Sequence, residues 1–366
     1  MDTTTQNATA TDFTIQDQIE DTISQLRWMP NPNSQVLASC GWDAKVRVWQ
    51  VNYQMSPNSL NPTANIQSNM AFVTQMADPL LCLSWSTDCN SIFTGSADGT
   101  VSMIELNTSR TVAVGKHESG CKDMAFIHGM NVLLTGGWDG KLNFWDLRQP
   151  MPAISLDLQR RIYTLSISSP LLVVGLSDRL INYYNLNKLS GPGFMPEAQF
   201  ESHLRYQTRR IATFTEKDGY AIGSIEGRVA IKYVDLNKAP EINQETKTMN
   251  TKDDFAFRCH RIGENQAEVF PVNDIAFNPV YGTFCTGGGD GSWIIWDKDS
   301  RSRLRQGSHT NKAPITALDY SANGDILAYA SGYDWAKGVS FENSFQPKLN
   351  IHYCPDSDKK KKPKKS

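Results

Sequence analysis

The sequence predicts an all-β ring, a seven-bladed β-propeller closed by an N-terminal strand. Three observations predict it. A unit of alternating strand, polar turn, apolar strand, small-residue turn and alternating strand recurs seven times. An acid stands at the same place in every copy, and helix-period segments are nearly absent. The 366 residues fit one large β architecture, and a 40% hydrophobic share is that of a folded chain.

The copies start near residues 22, 79, 120, 160, 209, 271 and 313; the third reads KDMAFIHGMNVLLTGGWDGKLNFWD. Their acids are Asp43, Asp98, Asp139, Asp178, Glu226, Asp290 and Asp334, at intervals of 39 to 64 residues. The shorter intervals suit a four-stranded blade and the longer ones hold loop insertions. Trp49, Trp145 and Trp296 each fall six residues after their acid, where a WD-repeat blade places its tryptophan. The acids read as structural, taking hydrogen bonds from turn amides and from a histidine one strand earlier, for which His117 and His309 are placed.

The seventh copy ends one strand short, and Phe13-Thr14-Ile15 is the natural donor of that strand, which removes the open edges. The ring is expected over 11–355, with a disordered N-terminus at 1–10 and a basic disordered tail at 356–366. Segments 54–70 and 236–254 read as surface loops.

Net charge is −2, but the last eight residues supply six lysines. The remainder holds 30 bases against 38 acids, which argues against a globally basic nucleic-acid grip. The longest strongly apolar stretch, Leu171-Leu172-Val173-Val174, is far below the roughly 20 residues of a bilayer span, and no secretory signal is present, so no membrane insertion is expected. Seven cysteines without a C-x-x-C read as reduced thiols, and no metal-ligand spacing appears. No nucleophile–base pair or phosphate loop is visible. The expectation is a protein with no cofactor, metal, small-molecule substrate or enzymatic activity.

Propeller topology assigns faces. Outer-to-inner connections share the top face with the second-to-third strand turns, which collects Arg209, Arg210, Arg228, Arg258 and Arg261 in one sector. Trp42 and Trp138 occupy the matching turns of blades 1 and 3. Arginine forks fit carboxylates, and exposed tryptophans anchor interfaces, so an acidic segment with apolar side chains is the expected occupant. A second basic-aromatic patch follows Trp296, with Lys298, Arg301, Arg303 and Arg305, and could meet phosphates or an acidic peptide. The tail lysines Lys359, Lys360, Lys361, Lys362, Lys364 and Lys365 read as an import signal, an RNA contact or a solubilising terminus.

The stretches RYQTRRIATF, SIEGRVAIKYVD, FRCHR, YASGYDWAKG and WDKD resemble the nuclear-pore-associated poly(A) RNA export WD-repeat proteins, which are related to kinetochore checkpoint WD-repeat adaptors. That resemblance implies an adaptor that binds a GLEBS segment of an FG nucleoporin at the nuclear pore complex and supports mRNA export, resident in the nucleus and shuttling to the cytoplasm. It implies peptide contacts at Trp42, Trp138, Arg209, Arg228, Arg258 and Arg261, and a patch for single-stranded nucleic acid or acidic peptide at Phe257, Trp296, Lys298 and Arg301. Single-stranded RNA and mRNA-export factors are further partners on this reading. A spindle-checkpoint scaffold using the same face, or a direct single-stranded RNA binder, stands as the alternative.

Overall fold

The computed structural model describes residues 12–55, 64–191, 193–243, 245, 247–249, 251–308, 312–339 and 345–362. The expected disorder of 1–10 therefore lies outside the described residues, as do His309, Lys364 and Lys365.

Seven four-stranded antiparallel sheets form the ring, each lettered a to d from the channel outward. The a strands are Ile23–Trp28, Leu80–Trp85, Cys121–Ile127, Ile162–Ser168, Thr208–Thr213, Val272–Phe277 and Ile315–Tyr320. The b strands are almost wholly buried, as strands covered on both faces must be. Apolar side chains from neighbouring blades merge into clusters such as Val46, Val48, Leu83, Trp85 and Ile92 between blades 1 and 2.

Side chains on the a strands also latch each blade to the next. Gln25 Oε1 accepts from the Leu83 amide at 2.6 Å, Asp123 from Leu165 at 2.9 Å, and Asp274 from Leu318 at 2.8 Å. Asp319 accepts from Trp28 at 2.8 Å and carries the same latch from blade 7 to blade 1. Each satisfies a backbone donor that burial would otherwise strand.

Closure follows the sequence expectation. Phe13–Thr14 pairs antiparallel with Lys348–Tyr353 as the outermost strand of blade 7. Asp12 then reaches His352 Nδ1 at 2.7 Å.

Two expected loops differ. The c and d strands of blade 1 run Lys45–Met55 and Ala64–Gln75, so every described residue of 54–70 belongs to a long ribbon. Its polar residues alternate with apolar ones and satisfy strand pairing as well as a loop. Within 236–254, Ile242–Asn243 pairs with Thr248–Met249. The tail differs most. Asp356–Lys359 is a helical turn with Asp358 and Lys359 buried against the ring, where a disordered segment was expected.

Candidate peptide-binding face

Every a strand carries the same irregularity. Its register shifts after the first residue, so one extra residue bulges out in each blade: Ser24, Leu81, Lys122, Tyr163, Arg209, Asn273 and Thr316. A bulge re-aims a side chain. All seven line a cavity of about 500 Å³ at the top mouth of the channel.

This explains why two adjacent arginines have different fates. Arg210 lies past the bulge and forms ion pairs with Asp123 at 2.8 Å and Asp274 at 2.9 Å. Arg210 belongs to the ring, contrary to the expectation of a five-arginine surface. Arg209 is the bulged residue, exposed at the cavity lip, and among the described residues it makes no ion pair.

The other arginines gather on blade 5. Arg228 begins strand c, Arg258 ends strand d, and the two are direct cross-strand partners. Like charges placed opposite one another cost stability. Arg228 has one acid nearby, Glu226 at 3.6 Å, and exposed Arg258 has none among the described residues. Arg261 donates from Nη2 to the Glu226 carbonyl at 2.8 Å, which ties the turn to the connection into blade 6. Exposed Tyr206, Ile225, Ile262 and Val269 stand on the same connections and turns. Sequence reading passed over these four because single apolar residues in loops carry no pattern.

Trp42 is 36% exposed and lies 6.5 Å from Trp335, whose ring is in turn 5.6 Å from Tyr333. Trp335 and Tyr333 were also missed, although both stand in the YASGYDWAKG run. Trp138 packs against Gly120, where a Cβ would come within 2.6 Å of the indole. Trp42, Trp138, Trp335, Tyr163 and Tyr333 all line the cavity. The face thus offers aromatic walls at the channel mouth and cations with few acids to neutralise them toward blade 5.

The second patch separates into unlike parts. Phe257 and Trp296 do meet, with ring centroids 4.6 Å apart. Trp296 also donates to Thr286 Oγ1 at 3.0 Å; that hydroxyl bonds His260 Nε2 at 2.9 Å, and His260 Nδ1 faces Asp290 at 2.9 Å. Blade 3 repeats the set, with Trp145, Thr135, His117 and Asp139. Trp296 is therefore half-buried structure, and His260 is the histidine partner that sequence reading did not select. Asp178 departs from its counterparts, being exposed and paired with Arg160 at 3.0 Å.

Lys298 is buried, against expectation. Its ammonium pairs with Asp299 at 3.0 Å and sits 4.9 Å over the Phe214 ring. It is satisfied within the protein and unavailable to a phosphate. Arg301 is exposed and stacks 4.5 Å over Phe255.

The lysine tail is engaged as far as it is described. Lys359 pairs with Asp325 at 2.5 Å, Lys360 with Asp356 at 2.6 Å, and Lys361 with both Glu216 at 2.8 Å and Asp299 at 2.7 Å. The Lys362 amide donates to Asp297 at 2.9 Å.

The WD domain, G-beta repeat family matches residues 13–50, 72–105, 109–146 and 258–297. The chain is 37% identical over 355 residues to the "Poly(A)+ RNA export protein" of Schizosaccharomyces pombe, covering 94% of this chain and 91% of that protein. It is 35% identical to "mRNA export factor rae-1" of Caenorhabditis elegans, over 99% and 92% of the two chains. With "mRNA export factor GLE2" of Chaetomium thermophilum it shares 34% identity, over 91% and 87%. The chain belongs to the Rae1/Gle2 family of poly(A)+ RNA export WD-repeat proteins. The WD-repeat ring and the names of the relatives indicate a non-enzymatic scaffold with a role in mRNA export.

Proposed function

We propose that this chain is an mRNA-export adaptor that holds a GLEBS-type acidic segment of an FG nucleoporin across its top face, at the nuclear pore complex. The observation that carries the reading is the blade-5 arginine set. Arg209 and Arg258 have no carboxylate within ion-pair distance among the described residues, and Arg228 is the cross-strand partner of Arg258. Two opposed guanidinium groups are relieved when carboxylates insert between them. Exposed Trp42, Tyr206, Ile225, Ile262 and Val269 supply apolar anchors around them. The segment would order on binding, its entropy cost offset by arginine–carboxylate forks and buried aromatics. Arg261, already tied to backbone carbonyls, shapes the site more than it grips.

The test is a fluorescence-anisotropy titration of a GLEBS peptide at physiological salt, with Arg209→Ala and Arg258→Ala beside the parent. Submicromolar binding that both substitutions abolish supports the reading. Binding indifferent to both removes the arginines from the site. A parallel titration with oligo(A) RNA and Arg301→Ala separates the RNA-binding alternative, for which exposed Arg301 stacked on Phe255 is the supporting feature.

A further inference from the structure

Blade 1 is unlike the other six. Its c strand has 11 residues and its d strand 12, whereas each other c strand has six. The two strands pair from Lys45↔Gln75 to Met55↔Ala64, so a two-stranded ribbon projects below the ring. It is propped rather than loose. Val51 and Ile66 are buried, and the Tyr53 hydroxyl donates to Asp325 at 2.8 Å under blade 7.

The outer edge of this ribbon has no strand beside it among the described residues. Proteins protect such edges with charge, proline, bulges or brevity. Every other d strand carries a charged residue or, in blade 7, is two residues long. Here residues 48–77 contain no Asp, Glu, Lys or Arg. One bulge interrupts the strand between the pairs Val48↔Phe72 and Trp49↔Met70, leaving 64–70 as the straight part of the edge.

The side chains on that part form an ordered array. Asn65, Gln67 and Asn69 are exposed on one face, and their cross-strand partners are Gln54, Asn52 and Gln50. Six carboxamides thus stand in three facing pairs. A carboxamide is donor and acceptor at once, so the array complements itself.

We propose that this edge pairs with a second copy of the chain, antiparallel and centred on Gln67. Gln67 then faces its own copy across the two-fold axis, and Asn65 faces Asn69 of the other molecule. Each carboxamide row lengthens from two to four. Residues 48–77 carry no charged side chain, so two copies meet along this edge without like-charge repulsion between the strands. Seven residues per strand make a small interface, so the association is weak and concentration-dependent.

Sedimentation velocity on the full chain, from about 5 to several hundred micromolar, reads it directly. The expected average mass climbs from 40.9 kDa toward twice that value. Gln67→Lys and Gln67→Glu, both at an exposed position, each hold the chain monomeric, and an equimolar mixture of the two restores association. Thermal melts and GLEBS-peptide titrations of each variant establish that ring and top face are intact, keeping this outcome separate from that of the proposed function. A parent that stays at 40.9 kDa, association that survives both substitutions, or a mixture that remains monomeric overturns the proposal.

Discussion

The arginines on top of blade 5 and the lysines beneath blades 6 and 7 are both dense basic sets, yet the ring treats them oppositely. Below, Lys359, Lys361 and Lys298 each lie within 4 Å of one or more carboxylates. Above, Arg209 and Arg258 have none among the described residues, and Arg228 is set opposite another arginine. The number of cations therefore says little about where an anionic partner docks. The informative quantity is charge left unneutralised after folding, which these arginines retain and these lysines do not.

Five variants press on that contrast. Replacing Arg228 and Arg258 together with Glu is expected to weaken GLEBS-peptide binding by on the order of 100-fold or more, about 3 kcal/mol, while Lys361→Glu leaves it within roughly twofold. Anisotropy titrations read both, and equal losses would dissolve the distinction between the faces. Next, Asp358→Ala with Lys359→Ala unpins the tail. That pair is expected to lower unfolding stability by about 1–3 kcal/mol in urea and leave peptide affinity unchanged.

Smaller and of opposite sign is Arg228→Gln in the free protein. Removing one of two opposed charges should raise stability by about 0.2–1 kcal/mol, even as it damages binding. A loss of stability would mean that the arginine's packing outweighs the repulsion. The weakest effect is the pH response of closure. Burial alone would lower the His352 pKa, but the carboxylates of Asp12 and Asp358 more than offset it and hold the imidazole above its ordinary value of 6.5. A group whose folded-state pKa is raised contributes fully below the unfolded value and loses that contribution as pH rises through the folded one. Melting temperature should fall more steeply above pH 6.5 in the parent than in His352→Gln.

The ring was legible because its signals are local and periodic. The acid-to-tryptophan spacing of six survives loop insertions, and the missing strand in blade 7 pointed straight to Phe13-Thr14. The site was only half legible. Topology places Arg228 and Arg258 on one face, since strand ends follow from strand order. It does not distinguish Arg209 from Arg210, because a single-residue bulge decides that and leaves no compositional trace. Lys298 was misjudged for a related reason, as a turn lysine reads as solvated until Phe214 and Asp299 fold around it. The tail looked disordered by composition, and only long-range acids, Glu216 above all, make it otherwise. His260 was passed over beside an arginine-rich run that drew the eye to binding, although its place before strand a of blade 6 matches that of His117 before blade 3.

Completion of the last blade by the first strand also sets an order in time. During synthesis Phe13–Thr14 leaves the ribosome hundreds of residues before its partner Lys348–Tyr353 exists. Until the final strand emerges, six blades can stack, but the arc they form keeps two raw ends, and Asp12 has neither His352 nor Tyr329 to hold. The nascent protein therefore passes through a long stage that no local folding can finish, and chaperone shelter is needed most until Lys348–Tyr353 has emerged.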